Sequence, residues 1–254
     1  MRKLGTEELD LADSFHAGSI EYVSSHPRDA AQLPLAEFRD RYARGGYWWT
    51  MRVNQTMGAV LAQAAIRFDL RPVHLSLMNV ALGVATSAWV LLLRSRPVIA
   101  ALIAVIGWSI AYSLDCADGQ LARATQMSTA GGAILDLLGD YLVQITVIFS
   151  MLQVSTSGMD PTWVTAFAVF VTGGWLISPY YSGILGAGEL PSAGKMRSLR
   201  GIVRQLRDYG VHVTVLPVAA IFGPAPVATL LALIALLNFV ALFLGIGTNG
   251  RKGF

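Results

Sequence analysis

The chain has 254 residues, 54% of them hydrophobic and only 14% charged, with a net charge of +3 and a mean hydropathy of +0.53. A soluble domain carries about 25% charged residues, so this composition excludes an ordinary water-soluble globule and predicts an all-α polytopic membrane protein. A single cysteine, Cys116, excludes an intramolecular disulfide or a cysteine-rich metal site, and no feature of the sequence points to a nucleic-acid partner.

Residues 1–72 differ from the rest, with nine acids and nine bases, and they begin without the apolar core of a cleavable signal. Residues 1–46 read as a cytoplasmic extension with one or two short helices interrupted at Pro27 and Pro34. Residues 47–72 read as an amphipathic helix lying in the headgroup region. From Trp48 to Asp69, apolar Trp49, Val53, Met57, Val60, Leu61, Ala64, Ala65 and Phe68 alternate at near-helical spacing with Arg52, Asn54, Gln55, Gln63 and Arg67. Residues 73–254 read as one six-helix transmembrane catalytic domain.

A helical span needs about 20 mostly apolar residues. Six are predicted: Val73 to Leu93, Val98 to Leu114, Gly131 to Leu152, Trp163 to Leu185, Val211 to Phe222 with its flanks, and Val227 to Ile246. Pro217 interrupts the fifth, and Gly223-Pro224-Ala225-Pro226 predicts a tight hairpin into the sixth. Of the 19 Lys and Arg residues, only Arg94 and Arg96 fall on one side of this topology. Positive charge is retained in cytoplasmic loops, so both termini are expected in the cytoplasm of a multi-pass cell-membrane protein. Gly173-Gly174 would permit close helix contact, compatible with a homodimer.

Against this apolar background stands DCADGQLARATQMSTAGGAILDLLGD, residues 115–140, with four carboxylates and Arg123. A charge near a bilayer's centre costs roughly 2.5–3.5 kcal/mol on insertion scales, so such a group implies a compensating cation or a functional cavity. Asp115 and Asp118 are three apart, and Asp136 and Asp140 four apart, which puts each pair on one helical face. If spans two and three are neighbours, all four meet at the cytoplasmic end. Hard oxygen ligands favour Mg²⁺, Mn²⁺ or Ca²⁺, and a two-metal centre gripping a phosphoryl or pyrophosphoryl group is the natural outcome. Gly119, Gly131 and Gly132 would let a phosphate or nucleotide approach the backbone, and Arg123 adds a permanent cation. A divalent-cation transporter would also place carboxylates in the membrane, but here all four lie in one hairpin.

The pattern D, two residues, DG, two residues, AR, eight residues, G, three residues, D, three residues, D is filled at every fixed position by Asp115, Asp118, Gly119, Ala122, Arg123, Gly132, Asp136 and Asp140. It resembles the signature of the CDP-alcohol phosphotransferase family. The resemblance implies two Mg²⁺ or Mn²⁺ ions held by Asp115, Asp118, Asp136 and Asp140, a CDP site shaped by Gly119, Ala122, Arg123 and Gly132, and Asp140 as the base that deprotonates an acceptor hydroxyl. It further implies release of CMP, with CDP-diacylglycerol as the expected donor and a small alcohol or polyol phosphate as acceptor, in phospholipid biosynthesis. The alternative within the family is transfer from a soluble CDP-polyol such as CDP-inositol to a polyol phosphate. Arg52, Lys195, Arg197 and Arg200 are candidate acceptor-phosphate ligands, although such cations also serve as inside markers or lipid contacts. Before the first span, many family members carry Pro-Asn-x-x-Thr, whereas this chain has Pro72-Val73-His74-Leu75-Ser76.

Overall fold

A computed structural model of the protein describes residues 27–184 and 205–249. Lys195, Arg197 and Arg200 therefore lie outside the described residues, as does most of the amino-terminal extension. The described residues form helices and no strand.

Four short helices precede the apolar part: α1 (Pro27–Ala30), α2 (Leu35–Tyr42), α3 (Trp48–Arg52) and α4 (Asn54–Arg67). Pro27 and Pro34 start helices instead of interrupting them: Pro27 is the first residue of α1, and Pro34 caps α2. This suits a residue whose missing N–H would be unpaired at a helix start anyway. The predicted continuous helix from Trp48 to Asp69 is two helices, divided at Val53. In α4 the predicted apolar face splits. Met57, Val60 and Phe68 point outward, while Ala65 joins Ala59, Ala62 and Ile66 in a core shared with Phe38, Leu75, Leu114 and Leu121. Gln63 donates to the Leu33 carbonyl at 2.8 Å, tying α1 and α2 to α4.

The apolar helices are α5 (Pro72–Leu92), α6 (Pro97–Ala124), α7 (Ala130–Ser155), α8 (Pro161–Ile184), α9 (Tyr209–Ala220) and α10 (Pro224–Asn249). Each predicted span has its helix. Within the described residues, four of them, α5, α6, α7 and α10, are long and apolar enough to cross a bilayer, whereas α9 has only 12 residues and α8 contributes a shorter apolar stretch, Pro161–Leu176. Leu77, Trp89, Leu102, Ile134, Ile145, Phe149 and Val169 face outward. Outward apolar surface on this scale is that of a multi-pass membrane protein.

α5 packs on α6 and α7, α4 and α9 pack on α6, and α8 packs on α10. Trp108, Val147, Met151, Val171, Leu216 and Leu231 form the core between these helices. A Cβ on Gly174 would come within 2.6 Å of Ala235, so the close contact that this glycine permits is used inside the chain, between α8 and α10. The expected hairpin after α9 is present, turning at Gly223 with φ +109°.

Candidate metal and nucleotide site

α6 ends at Ala124 and α7 begins at Ala130. The intervening turn is closed by Thr129, whose hydroxyl oxygen accepts the Gly132 N–H at 3.0 Å and caps α7. The antiparallel pair brings the α6 acids opposite those of α7. One carboxylate oxygen each from Asp115, Asp118 and Asp136 lies within 4.8 Å of the other two. Asp140 joins them through Asp115, the two carboxyls being close enough to share a hydrogen bond. Asp115, Asp118 and Asp136 thus come together, and Asp140 lies next to Asp115.

Carboxylates this close repel each other in a dehydrated setting unless a cation lies among them. Among the described residues the donors are all oxygens, and no sulfur or imidazole joins the set, which fits a hard divalent ion. Cys116 is buried on α6 between the two acids and packs against the position of Gly58 on α4.

A cavity of about 380 Å³ adjoins the acids, lined by Asp118, Gly119, Ala122, Arg123, Gly132 and Asp136 together with Ser76, Thr129 and apolar Val73, Met127 and Leu135. Every residue expected to shape a CDP site therefore faces one space. A Cβ at Gly119 would sit 3.2 Å from the Arg123 guanidinium, so the glycine leaves room for that side chain. Arg123 donates from Nε to the Tyr42 carbonyl at 2.6 Å. Beside it, the buried Gln120 amide donates to the Gln55 carbonyl and side-chain oxygen at 3.0 and 2.7 Å, and Gln55 donates to the Arg44 carbonyl at 3.2 Å. The segment from Tyr42 to Gly45 is thereby fixed against the motif helix. Arg52 ends α3, is exposed and does not line the cavity.

Two contributors come from α5. Ser76 donates to Asp118 at 2.6 Å, and Asn79 donates to Asp115 at 3.4 Å. Because α5 and α6 run antiparallel, the residue one turn later on α5 meets the acid one turn earlier on α6. In the sequence Ser76 stands out only as a departure from a family pattern, and Asn79 does not stand out at all. The signal that would have found them is a polar pair at i, i+3 inside an otherwise apolar span. His74, within that same segment, accepts the Arg71 N–H at 3.1 Å and so caps α5.

A second polar centre lies at the start of α9. Asp208 accepts from the Thr50 hydroxyl, the Thr50 N–H at 3.1 Å, the Gln205 amide at 3.1 Å and the Gly210 N–H at 3.0 Å. Burial pushes its carboxyl above the usual carboxylate range, and these donors pull it partly back.

Compared with known families, residues 70–185 match the family model described as CDP-alcohol phosphatidyltransferase, a stretch that holds all eight motif positions. No curated protein matches the chain.

Proposed function

We propose, from the premise that residues 70–185 form a CDP-alcohol phosphatidyltransferase domain and make the chain a transferase of substituted phosphate groups, that it transfers phosphatidyl from CDP-diacylglycerol to the hydroxyl of a small alcohol or polyol phosphate and releases CMP. The observation that carries this reading is the convergence of Asp115, Asp118 and Asp136 beside a cavity lined by Gly119, Ala122, Arg123 and Gly132. The apolar wall of Val73, Met127 and Leu135 favours a lipid-linked donor over a soluble one. Met57 and Val60, outward on α4, and Phe68 just after it support a resting place for that helix at the membrane surface, with the site and both termini on the cytoplasmic side.

Asp115, Asp118, Asp136 and Asp140 would hold two Mg²⁺ or Mn²⁺ ions, which when bound supply charge neutralisation of the pyrophosphate and of the departing CMP. Arg123, oriented by the Tyr42 carbonyl, would bind a donor phosphate oxygen with the rest of its guanidinium. Gly119 and Gly132 would let the cytidine and pyrophosphate lie close to the helices. The acceptor oxygen attacks the phosphorus distal to cytidine, the bond from that phosphorus to the CMP oxygen breaks, and the acceptor proton passes to Asp140. Arg52, Lys195, Arg197 and Arg200 remain the proposed contacts for an acceptor phosphate, and a homodimer the proposed assembly.

Purified full-length protein should release CMP from CDP-diacylglycerol only with Mn²⁺ or Mg²⁺ and an acceptor alcohol, and Asp136→Asn should reduce that release at least about a hundredfold. Product mass would identify the acceptor. CMP release from CDP-inositol alone would move the donor assignment to the soluble class, and metal flux into vesicles without CMP release would replace the reading with transport.

A further inference from the structure

Asn79 is only 3% exposed, and its side-chain amide donates to Asp115, yet its Oδ1 is buried without a hydrogen-bond partner. Buried polar atoms in folded proteins are nearly always paired, so an orphan calls for a ligand or ion to complete it. Among the described residues three other buried side-chain atoms share this condition, on Asn54, Gln120 and Tyr209. The Asn54 and Gln120 amides bond to α6 serines and to Gln55, and the Tyr209 ring packs edge-on against Tyr112 and Trp175. Among these four, Asn79 alone combines an orphan oxygen with a hydrogen bond to an acid of the cluster.

The packing holds it there. Gly83 is one turn further along α5, where a Cβ would meet Val143 at 2.7 Å, and a Cβ on Gly139 of α7 would meet Val80 at 3.0 Å. α5 and α7 are therefore pressed together in the turn of α5 that follows Asn79. Ser76, one turn before it, is committed to Asp118.

We propose that Asn79 supplies a neutral oxygen ligand to the divalent ion held at Asp115, an assignment that rests on the metal-dependent reading above. A hard ion takes about six oxygen ligands, so the carboxylates leave positions for substrate, water and one carbonyl-type oxygen. A neutral ligand adds coordination without adding to the negative charge already gathered in this hairpin. The amide nitrogen now faces Asp115, and a half-turn about the Cβ–Cγ bond would turn Oδ1 toward an ion held there.

The test measures ion binding to the full-length protein in nanodiscs with no donor or acceptor present, reading free Mn²⁺ by electron paramagnetic resonance. Asn79→Ala should weaken Mn²⁺ binding at least about tenfold. Loss of a hydrogen bond to Asp115 would do the same, so Asn79→Cys decides between them. A thiolate in the ion's own shell prefers Cd²⁺, whereas a side chain outside that shell leaves metal preference alone. The ratio of Cd²⁺ to Mn²⁺ affinity should rise at least about tenfold in Asn79→Cys over Asn79→Ala, Cys116 being common to both. Asn79→Asp, close to native volume, should retain the Mn²⁺ stoichiometry and serves if the alanine variant does not fold. An unchanged Cd²⁺ to Mn²⁺ ratio, or unchanged Mn²⁺ affinity in Asn79→Ala, overturns the assignment while leaving phosphotransfer standing. Failure of the wild-type protein to bind Mn²⁺ overturns both.

Discussion

Ser76 shows how one hydroxyl can set the geometry of a charged site. Its 2.6 Å bond to Asp118 takes up one lone pair of a carboxylate that lies with Asp115 and Asp136. Hydrogen bonds to charged groups contribute about 1.5–3 kcal/mol when buried, and Asp118 is 4% exposed. Ser76→Ala should therefore lower CMP release about tenfold, and raise the Mn²⁺ concentration needed for half-maximal rate, because the freed carboxylate loses its orientation. Ser76→Thr keeps the hydroxyl and should restore both parameters. A serine-to-alanine protein with wild-type metal dependence would show that Asp118 is positioned by α6 alone.

Helix elements meet most closely where side chains are smallest. A Cβ on Gly58 of α4 would come within 2.9 Å of Cys116 Cβ and 3.2 Å of the Ala117 nitrogen, between the two α6 acids. Gly58→Val should push α4 off α6, destabilise the fold by about 1–3 kcal/mol in overpacking and reduce activity together with thermal stability. Gly173→Ala in α8, whose Cβ would meet only Phe239 at an ordinary 3.6 Å, serves as the control and should leave the melting temperature unchanged or raised. The same elements mark what the sequence could disclose. Residues 115–140 announced the site because charge inside an apolar run is costly unless a cation or a ligand compensates it, and the helices fall where hydropathy put them. Hydropathy is blind to a break such as that at Val53, since both halves share one periodicity. It is equally blind to which polar residue of a span faces the acids, because Ser76, Asn79, Thr86 and Ser87 are all buried in α5 and only its register against α6 sets the first two beside acids and Ser87 beside Trp108.

At the scale of the whole molecule, polar contacts join the amino-terminal helices to the apolar ones at several points, and Asp208 receives two of them, both from Thr50. It is 2% exposed, caps α9 through Gly210, and receives the Thr50 hydroxyl and N–H from α3. Arg207 beside it donates to Asn238 at 2.8 Å, so the same junction reaches α10. Asparagine at 208 preserves size but offers one acceptor oxygen where two receive donors, and it turns an NH₂ toward N–H groups. Each buried donor left unpaired costs about 1–3 kcal/mol. Asp208→Asn should lower the melting temperature and speed amide exchange selectively in residues 48–52 and at the start of α9, with smaller change in α5 to α7. Uniform faster exchange through all helices would mean that α3 and the membrane helices unfold as one unit, and unchanged exchange would show that Asp208 carries none of the coupling. Because α4, and behind it the Tyr42 to Gly45 segment that orients Arg123, adjoin α3 directly, the selective outcome would also reduce donor affinity before it reduces metal affinity.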